Sequence, residues 1–295
     1  MEAKIMKNAI LVTGGTGTIG RELIKQLRSK DICVRIAVRD PQKILEIDTS
    51  GCPVVYFDYE KPDTFYHAFE NIDSLFLSAP LRCKHLDQLL LPAIQTAKLM
   101  GVDQIVTMGA IGVEQGTDTP LSIFEKCIIS SGINYTILRP NLLMQNFINL
   151  AGDFIRKTGK INLPAGNSRI SFVDGRDVAE AAQIALLNPE YRNHIYTLTG
   201  KESLNHYQIA RILSKVTGRD ITYTPVSHND TRKKLEGAGW DWETAELMIG
   251  LYEIARHGWC EEIRNDLKVI LGRDPITFEK FAMDFRNYWT QSDNT

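Results

Sequence analysis

Short apolar runs alternate with amphipathic stretches through the first half of this 295-residue chain. The apolar runs predict strands at residues 8–13, 32–38, 54–57, 74–78, 104–108 and 134–138. Between them, apolar side chains recur at helical spacing, which predicts helices at 18–29, 41–47, 63–70, 83–100 and 121–131. Strands and helices that alternate in this way are typical of a parallel sheet covered by helices on both faces.

The second half of the chain has a less regular pattern. It predicts helices at residues 144–157, 177–187, 205–216, 241–256 and 277–289, and short strands near 170–173, 194–198 and 221–225. Asp177 is the expected N-cap of the second of these helices, and Gly218 is the expected end of the third.

This order of elements predicts a Rossmann-type α/β fold, a doubly wound parallel sheet, with a smaller α/β C-terminal lobe. We assign residues 1–150 to the Rossmann domain, which also receives strands from about 165–200, and residues 151–295 to the lobe. The two are interleaved, since no Pro-, Gly- or Ser-rich linker separates them. We expect the substrate in the cleft between them.

A glycine-rich turn joins the first predicted strand to the first predicted helix. Its spacing is Gly14-x-x-Gly17-x-x-Gly20, in place of the commoner G-x-G-x-x-G. In this setting the first glycine allows the tight turn, the second lets a pyrophosphate approach, and the third lets helix and strand pack closely. The helix N-terminus then receives the phosphates. We therefore predict a dinucleotide site that includes Gly14, Thr16, Gly17, Thr18 and Ile19, with an ordinary surface turn as the alternative.

The second predicted strand is followed by Arg39, where a dinucleotide fold meets the adenosine ribose. A carboxylate at this place accepts the ribose hydroxyls of NAD, whereas an arginine neutralises a 2′-phosphate. Arg39 therefore favours NADP(H) as the cofactor, with a solvated arginine as the alternative. The neighbouring Asp40 could restore the NAD interpretation, but Asp40-Pro41 is better explained as a helix N-cap followed by proline.

Ligands of such sheets lie outside the carboxyl ends of the strands, so the residues after each strand are the next candidates. After the third strand, Asp58 and Tyr59 are predicted to contact the adenine, with a loop-forming aspartate as the alternative. After the fourth, the small Ser78 and Ala79 and the rigid Pro80 are predicted to run beside the nicotinamide ribose.

The fifth predicted strand ends at Met108, which we assign to the cofactor site. In a short-chain reductase this strand end carries a catalytic Ser or Thr, and a Tyr-x-x-x-Lys pair follows on the next helix, where the lysine lowers the pKa of the tyrosine. None of the ten tyrosines has a lysine four residues later. Glu125 and Lys126 on that helix are expected to be surface charges, and we assign no catalytic residue.

Residues 130–147 form the second informative stretch. Its strand ends in Arg139-Pro140, and we assign Pro140 and Asn141 to the cofactor site. We also predict a substrate pocket in which apolar side chains bind a flat hydrophobic acceptor. Its predicted members are Leu81, Gly109, Ala110, Leu142, Met144, Phe147 and Phe172. Placement in the core is the alternative for Leu142 and Met144.

Composition limits the partners. The formal net charge is −2 and no block of like charges occurs, which argues against a nucleic-acid or membrane surface. No segment has the length to span a membrane and no signal peptide fits the charged N-terminus, so we expect a cytoplasmic protein. The five cysteines are scattered without metal-ligand spacing, and no metal site is predicted. The expected partner is a small-molecule acceptor, with a homodimer as one option.

Five motifs together resemble the NmrA-like family of atypical short-chain dehydrogenase/reductases, whose members include quinone and triphenylmethane-dye reductases. They are the Gly14–Gly20 turn, Val38-Arg39-Asp40-Pro41, and the segments 130–140, 173–179 and 271–279. The resemblance implies an NADP(H)-binding Rossmann fold, a small C-terminal lobe and no Tyr-x-x-x-Lys pair. Related reductases carry a lysine or a histidine eleven residues before the glycine that is Gly132 here. This chain has Leu121 at that position, so neither acid is carried over.

Two functions are consistent with these residues. The first is an NADPH-dependent oxidoreductase that transfers hydride to a hydrophobic or aromatic acceptor (a quinone, dye, imine or natural-product intermediate), with solvent supplying any proton. The second is a non-catalytic NADP(H)-sensing regulator that binds a partner protein. Family members that bind NADP without turnover, and the leucine at position 121, support this alternative.

Overall fold

The computed structural model describes residues 9–40, 42, 49, 51–79, 86–116, 118–237, 239 and 241–290, without the side chains of residues 87, 243, 244, 247 and 248. Its strands are β1 (Ala9–Val12), β2 (Val34–Val38), β3 (Val54–Tyr56), β4 (Ile72–Leu77), β5 (Gln104–Met108), β6 (Asn134–Pro140), β7 (Lys160–Ile161), β8 (His194–Leu198) and β9 (Thr222–Tyr223). Its helices are α1 (Thr18–Arg28), α2 (Asp63–Phe69), α3 (Leu86–Leu99), α4 (Pro120–Ser130), α5 (Asn146–Asn149), α6 (Gly152–Thr158), α7 (Gly175–Leu187), α8 (His206–Thr217), α9 (His228–Gly237), α10 (Trp242–Arg256), α11 (Asp266–Leu271), α12 (Phe278–Asp284) and α13 (Arg286–Thr290).

Seven of the strands form one sheet, in the order β3-β2-β1-β4-β5-β6-β8. The pairs from β3 through β6 are parallel. The strand order reverses between β1 and β4, and a reversal of this kind is where doubly wound sheets bind their ligands. The predicted Rossmann-type fold is thus confirmed.

The apolar pattern explains why these segments pack as they do. The side chains of Leu11 and Val12 in β1 are both fully buried, as expected for a strand that is covered on both faces. On α1, Leu23, Ile24 and Leu27 lie on one buried face. An aromatic group formed by Phe57, Phe65 and Phe69 extends the same core, with ring centroids 5.1 to 6.1 Å apart.

The contacts divide the chain into two compact units. The first unit comprises the described residues of Met1–Arg139 and Val178–Tyr196. The second comprises those of Pro140–Asp177 and Thr197–Thr295. It contains the two-stranded β7–β9 sheet and a core in which Phe147, Phe172 and Phe278 contact one another.

The long elements agree with the sequence predictions, and the differences concern short ones. The predicted helix at 144–157 is two helices, α5 and α6, because the chain turns at Leu150–Ala151 and Gly152 packs against Tyr288. The predicted helix at 277–289 is likewise divided at Phe285. The predicted strand at 170–173 is only a pair of isolated bridges, and β7, α9 and α11 were not predicted. The predicted helix at 41–47 lies mainly outside the described residues.

Candidate functional site

Close backbone contacts shape the glycine turn between β1 and α1. Gly14 has a φ of +64°, in the left-handed region that favours glycine, and its carbonyl accepts from the Gly17 N–H over 2.9 Å. A Cβ on Gly20 would overlap with the Gly14 carbonyl oxygen, so the first turn of α1 lies directly against the glycine turn. Gly14 and Gly17 are exposed and Gly20 is buried. The geometry agrees with the roles predicted for Gly14 and Gly20, although the close neighbour of Gly20 is the turn rather than a strand.

Helix α1 begins without a side-chain cap. Its N-cap residue is Gly17, and its first turn contains no acidic residue. The first N–H groups of a helix lack an acceptor within it and carry the positive end of the helix dipole. The Arg21 Nε donates to the Thr16 carbonyl over 2.7 Å and so holds the turn in place. Thr18 and Ile19 are half-buried at this helix start, which fits a phosphate group.

The Thr13 hydroxyl joins the loops that follow three strands. It is buried, donates to the Phe76 carbonyl over 3.0 Å and accepts from the Ser78 N–H over 2.7 Å. The Tyr59 hydroxyl lies 2.8 Å from the Ser78 carbonyl oxygen and 3.1 Å from Thr13 Oγ1. Burial raises the pKa of Tyr59, which keeps the phenol protonated and able to donate. These bonds fix the ends of β1 and β4 on either side of the strand-order reversal.

The residues predicted to contact adenine have structural partners of their own. The Asp58 carboxylate is buried, and it accepts from the Glu60 N–H over 3.1 Å and from the Tyr56 hydroxyl over 3.4 Å. The Tyr59 ring packs edge-on against Phe57 at 4.8 Å between centroids. Both residues therefore shape the turn after β3, and their contact with a nucleotide stays a prediction.

Arg39 is exposed at the end of β2 and has neither a hydrogen bond nor an ion pair to any other described residue. The adjacent Asp40 carboxylate accepts from the Gln42 N–H over 3.0 Å. This bond agrees with the expected capping role of Asp40. Because β1 and β2 pair in parallel, Arg39 and the glycine turn lie at the same edge of the sheet.

The expectation that Glu125 is a surface charge was wrong. Its carboxylate is buried and accepts three bonds from the Arg139 guanidinium, from Nε to Oε1 over 3.1 Å, from Nε to Oε2 over 3.2 Å and from Nη2 to Oε2 over 2.5 Å. A Cβ on Gly109 would overlap with Glu125 Oε1, so the loop after β5 lies directly on this ion pair. The helical spacing of α4 showed which residues face the core but not that an arginine from β6 would meet Glu125 there.

A second carboxylate completes this cluster at the surface. Glu114 Oε2 lies 3.2 Å from Arg139 Nη1 and its side chain is 42% exposed, against 4% for Glu125. The hydrogen bonds that Arg139 donates to Glu125 raise the pKa of Arg139 further above its ordinary value. The pair holds the end of β6 against α4, beside residues Met108–Ala110 at the end of β5.

Three predicted pocket residues meet in the second unit. Leu142, Phe147 and Phe172 line one small pocket, together with Asn146, Leu150, Ala151, Leu163 and Tyr252. Met144 is fully buried in the core instead, which was the alternative considered for it. The predicted residues Pro80 and Leu81 lie outside the described residues.

The segment after β6 is held by a buried amide. The Asn141 side chain donates to Ser171 Oγ over 2.8 Å and to the Cys260 carbonyl over 2.9 Å, and it accepts from the Leu142 N–H over 2.8 Å. These bonds satisfy the buried amide within the protein. Asn141 thus positions the chain that continues from Pro140 into the pocket, and its assignment to the cofactor site stays a prediction.

His206 lies in an aromatic cluster behind the pocket. Its ring is fully buried, and its centroid lies 5.1 Å from that of Tyr223, 5.7 Å from Phe147 and 5.8 Å from Tyr252. Neither ring nitrogen has a hydrogen-bond partner in the described part of the chain. Burial lowers the pKa of His206 to about 3, so the ring is neutral at neutral pH.

Asp177 does not cap helix α7 in the way the sequence predicts. The helix begins at Gly175, and the buried Asp177 carboxylate accepts from Arg273 Nη2 over 2.7 Å and from the Ile276 N–H over 2.6 Å. These contacts join two of the motifs noted in the sequence, 173–179 and 271–279. The predicted end of α8 at Gly218 is confirmed by its left-handed φ of +72°.

One known protein family has a sequence model that matches most of this chain. The sequence model of the NmrA-like family matches residues 6–258. The chain belongs to the NmrA-like family. The resemblance inferred from the sequence motifs is therefore confirmed.

Two curated relatives match this chain over nearly its whole length. An uncharacterized oxidoreductase, YesF of Bacillus subtilis, is 30% identical over 287 residues, which cover 96% of this chain and 97% of the relative. The NAD(P)H azoreductase of Xenophilus azovorans is 30% identical over 279 residues, 92% of this chain and 96% of the relative.

Solved structures of two reductases share the fold. The triphenylmethane reductase of Citrobacter sp., complexed with NADP(H), is similar with a TM-score of 0.83 at 24% identity, covering 94% of this chain and 99% of that one. An NADPH-dependent quinone oxidoreductase of Escherichia coli has the same TM-score at 23% identity, with 94% and 99% coverage.

Some residues of the site could not be found from the sequence pattern. The sequence did not indicate the contacts of four residues: Thr13 after β1, Glu125 on α4, His206 behind the pocket and Tyr252 in the pocket wall. Thr13 precedes the glycine turn directly, which is a usable signal. The other three depend on partners that are distant in sequence.

Among the described residues no group of three or more His, Cys, Asp or Glu side chains could hold a metal ion, and no helix is long and apolar enough to cross a membrane.

The Glu125–Arg139 pair generates a stability prediction. Glu125→Ala leaves Arg139 largely buried beside only the exposed Glu114, and we expect it to lower the free energy of unfolding by about 3–5 kcal/mol. Glu114→Ala removes the exposed partner of the same arginine and should cost less than about 1 kcal/mol. Urea denaturation of the two variants and the wild type measures both effects. Equal losses in the two variants would contradict the buried pair.

The buried His206 predicts an acid-sensitive stability. Its pKa of about 3 in the folded state lies below the ordinary value of 6.5, so only the unfolded chain binds a proton between these pH values. The stabilisation is complete above pH 6.5 and is lost as the pH falls towards 3. Between pH 7 and pH 5 the wild type should lose about 2 kcal/mol more than His206→Phe does.

The control for this comparison is His67→Phe, at an exposed histidine of the first unit. It should keep the pH dependence of the wild type, as followed by urea denaturation at pH 5, 6 and 7. A His206→Phe variant with an unchanged pH dependence would contradict the neutral, buried ring.

Proposed function

We propose that this protein reduces planar hydrophobic or aromatic acceptors (quinones, dyes, imines or natural-product intermediates) with NADPH. It is an NAD(P)H-dependent oxidoreductase, as its relatives are named. The observation that carries the finer proposal is Arg39, which is exposed and unpaired among the described residues at the same sheet edge as the glycine turn. A guanidinium there matches a 2′-phosphate, because its paired N–H donors fit phosphate oxygens.

The residues at the strand-order reversal fit the rest of this cofactor. Gly14 and Gly17 present open backbone, and the uncapped start of α1 offers N–H groups with no competing carboxylate in the first turn. Ser78 and Ala79 are small, and the Thr13 and Tyr59 hydroxyls fix their backbone. When bound, NADPH supplies two electrons and one proton to the acceptor; the second proton comes from water.

The end of β5 supports acceptors that need no acid from the protein. The segment Met108-Gly109-Ala110 carries no hydroxyl group, and the nearest one, on Thr107, is fully buried and donates to the Leu77 carbonyl over 2.7 Å. A simple ketone needs a proton donor at this place. Quinones accept hydride without one because the resulting negative charge is delocalised over the ring and takes its proton from water, and iminium ions and dye cations because hydride neutralises their positive charge. The proposal therefore does not require a Tyr-x-x-x-Lys pair.

The second unit contributes the apolar surface for the acceptor. Its pocket is lined mainly by aliphatic and aromatic side chains, and the segment that forms it, residues 141–150, follows directly from the end of β6. Apolar side chains of this kind are what flat, hydrophobic molecules pack against in ligand sites. This is the role we propose for Leu142, Phe147 and Phe172.

Turnover is tested by NADPH oxidation at 340 nm with a panel of quinones, triphenylmethane and azo dyes, and imines. We expect at least one acceptor to be reduced, and Gly17→Asp to lower both NADPH affinity and activity by roughly 100-fold, because a carboxylate at the start of α1 repels phosphate. Gly237→Asp, at a glycine with open space around it, is the control. Tight NADPH binding with no acceptor reduced would contradict the reductase and support a non-catalytic NADP(H) sensor.

The role of Arg39 is tested by the choice of cofactor. Arg39→Ala should weaken NADPH binding about 10- to 100-fold, since it removes charged hydrogen bonds to the 2′-phosphate, and should change NADH binding less than about threefold. Arg39→Lys keeps the charge without the paired donors and should fall between the two. Titration calorimetry with both cofactors gives the dissociation constants. Equal changes for NADPH and NADH would show that Arg39 does not bind the 2′-phosphate.

A further inference from the structure

The apolar pocket of the second unit is small. It has room for about one water molecule, so a methyl or hydroxyl group of an acceptor fits, whereas an aromatic ring enters only if a wall moves outward. Half of its lining residues belong to one short stretch of chain and are Asn146, Phe147, Leu150 and Ala151. We call residues 146–151 the wall segment. The position of this segment decides how wide the pocket is.

The wall segment does not hold its position by itself. Its helix, α5, has four residues and no side-chain cap. The Asn146 carbonyl accepts from the N–H groups of both Leu150 and Ala151, over 3.1 and 3.2 Å, where the chain turns towards α6. A helix of this length is not stable in isolation. Contacts from outside the segment therefore fix where it lies.

Tyr288 of the C-terminal helix α13 supplies such contacts. Its hydroxyl lies 3.3 Å from the Ile148 carbonyl oxygen and 3.0 Å from Asp153 Oδ1. Burial and the bond to Asp153 raise the pKa of Tyr288, so the phenol keeps its proton and donates. A Cβ on Gly152 would lie 2.5 Å from the Tyr288 ring and 3.0 Å from the Phe147 carbonyl oxygen, so the ring rests directly on the turn. Neither Tyr288 nor Gly152 lines the pocket, and the ring therefore supports the wall segment from behind.

Helix α13 is itself anchored, so Tyr288 cannot move back easily. The side chain next to it, Trp289, is fully buried and packs against Phe281 at 5.9 Å between ring centroids. The Arg219 guanidinium donates to the Trp289 carbonyl over 2.5 Å and to the Arg156 carbonyl over 2.7 Å. Since Arg156 belongs to α6, one arginine joins α13 to the helix that follows the wall segment. An outward movement of the wall has to break these bonds or displace a buried tryptophan.

We propose that Tyr288 sets the width of the pocket, so that the C-terminal helix selects acceptors with a narrow end, such as a methyl group, over acceptors with a bulky one. The proposal rests on the reductase function proposed above. Apolar walls alone separate molecules of similar shape weakly, and a wall that is held in a close-packed position adds a limit on size. Tyr288 acts through the wall segment and is a positioning residue.

The width of the pocket is tested by the binding of a neutral aromatic probe that needs no cofactor. N-phenyl-1-naphthylamine fluoresces strongly only in apolar surroundings, and its titration gives a dissociation constant. Tyr288→Ala removes the ring and the hydroxyl, and we expect it to bind the probe about 10-fold more tightly than the wild type, because the released wall lets an aromatic ring be buried. Tyr288→Phe keeps the ring on Gly152 and loses only the hydrogen bonds, so its gain should be about threefold. This variant keeps the packing of α13 and carries the test if Tyr288→Ala does not fold.

Two further variants separate this role from a general loosening of the fold. Phe285→Ala perturbs the same C-terminal segment, where the Phe285 ring packs on Phe281 at 4.9 Å between centroids and has no ring contact with the described wall segment. It should lower the midpoint of urea denaturation and leave probe binding unchanged. Adding Ala151→Phe to Tyr288→Ala fills the pocket from the wall segment, and it should remove the gain in affinity.

An unchanged probe affinity in the Tyr288 variants, an equal gain in Phe285→Ala, or a gain that survives Ala151→Phe would each overturn the role of Tyr288.

Turnover is compared with two acceptors that differ only in the bulk of one end, 4-methylazobenzene and 4-tert-butylazobenzene. The wild type should prefer the methyl compound, and Tyr288→Ala should lower that preference in kcat/KM by about 10-fold. A wild type that reduces both equally well would overturn the selection by size. If the wild type reduces no acceptor at all, the reductase function fails, and probe binding alone decides whether Tyr288 sets the width of the pocket.

Discussion

The close approach of helix α1 to the glycine turn is the constraint on which the rest of the first unit depends. No side-chain atom fits between Gly20 and the Gly14 carbonyl, so the helix starts directly on the turn that ends β1. Its first N–H groups are thereby brought to the edge of the sheet where the strand order reverses. Arg39 stands at the same edge, after β2, because β1 and β2 pair in parallel. Under the proposed function, the start of α1 receives the pyrophosphate and Arg39 receives the 2′-phosphate at this same edge.

Buried polar bonds hold the neighbouring strand ends in register with this turn. The Thr13 hydroxyl links the backbone after β1 and β4, and the Glu125–Arg139 pair fixes the end of β6 beside the loop after β5. Inside a protein such bonds are strong when complete and costly when one member is missing. The first unit therefore positions its loops by polar contacts, whereas its strands and helices are held by apolar packing.

This difference explains what the sequence could predict. Strands buried on both faces and amphipathic helices of ten or more residues are visible in the apolar pattern, so the Rossmann-type fold was predicted, as were the places of the glycine turn after β1 and of Arg39 after β2. Short helices such as α5 and α6 are defined by a distant contact, here Tyr288 against Gly152, and no local pattern contains it. Glu125 and Asp177 were misjudged for the same reason, because their arginine partners lie 14 and 96 residues away.

The second unit recognises its ligand, under the proposed function, with little polarity. His206 stays neutral among aromatic rings, and the pocket in front of it has no charged residue. Apolar walls discriminate weakly between molecules of similar shape, whereas a single well-placed hydrogen bond discriminates strongly, since its loss leaves a buried polar group unpaired. Burial of His206 in this cluster costs free energy of folding, because neither imidazole nitrogen has a hydrogen-bond partner among the described residues. Under the proposed function, walls of uncharged, mainly apolar side chains favour flat, hydrophobic acceptors and discriminate weakly among them.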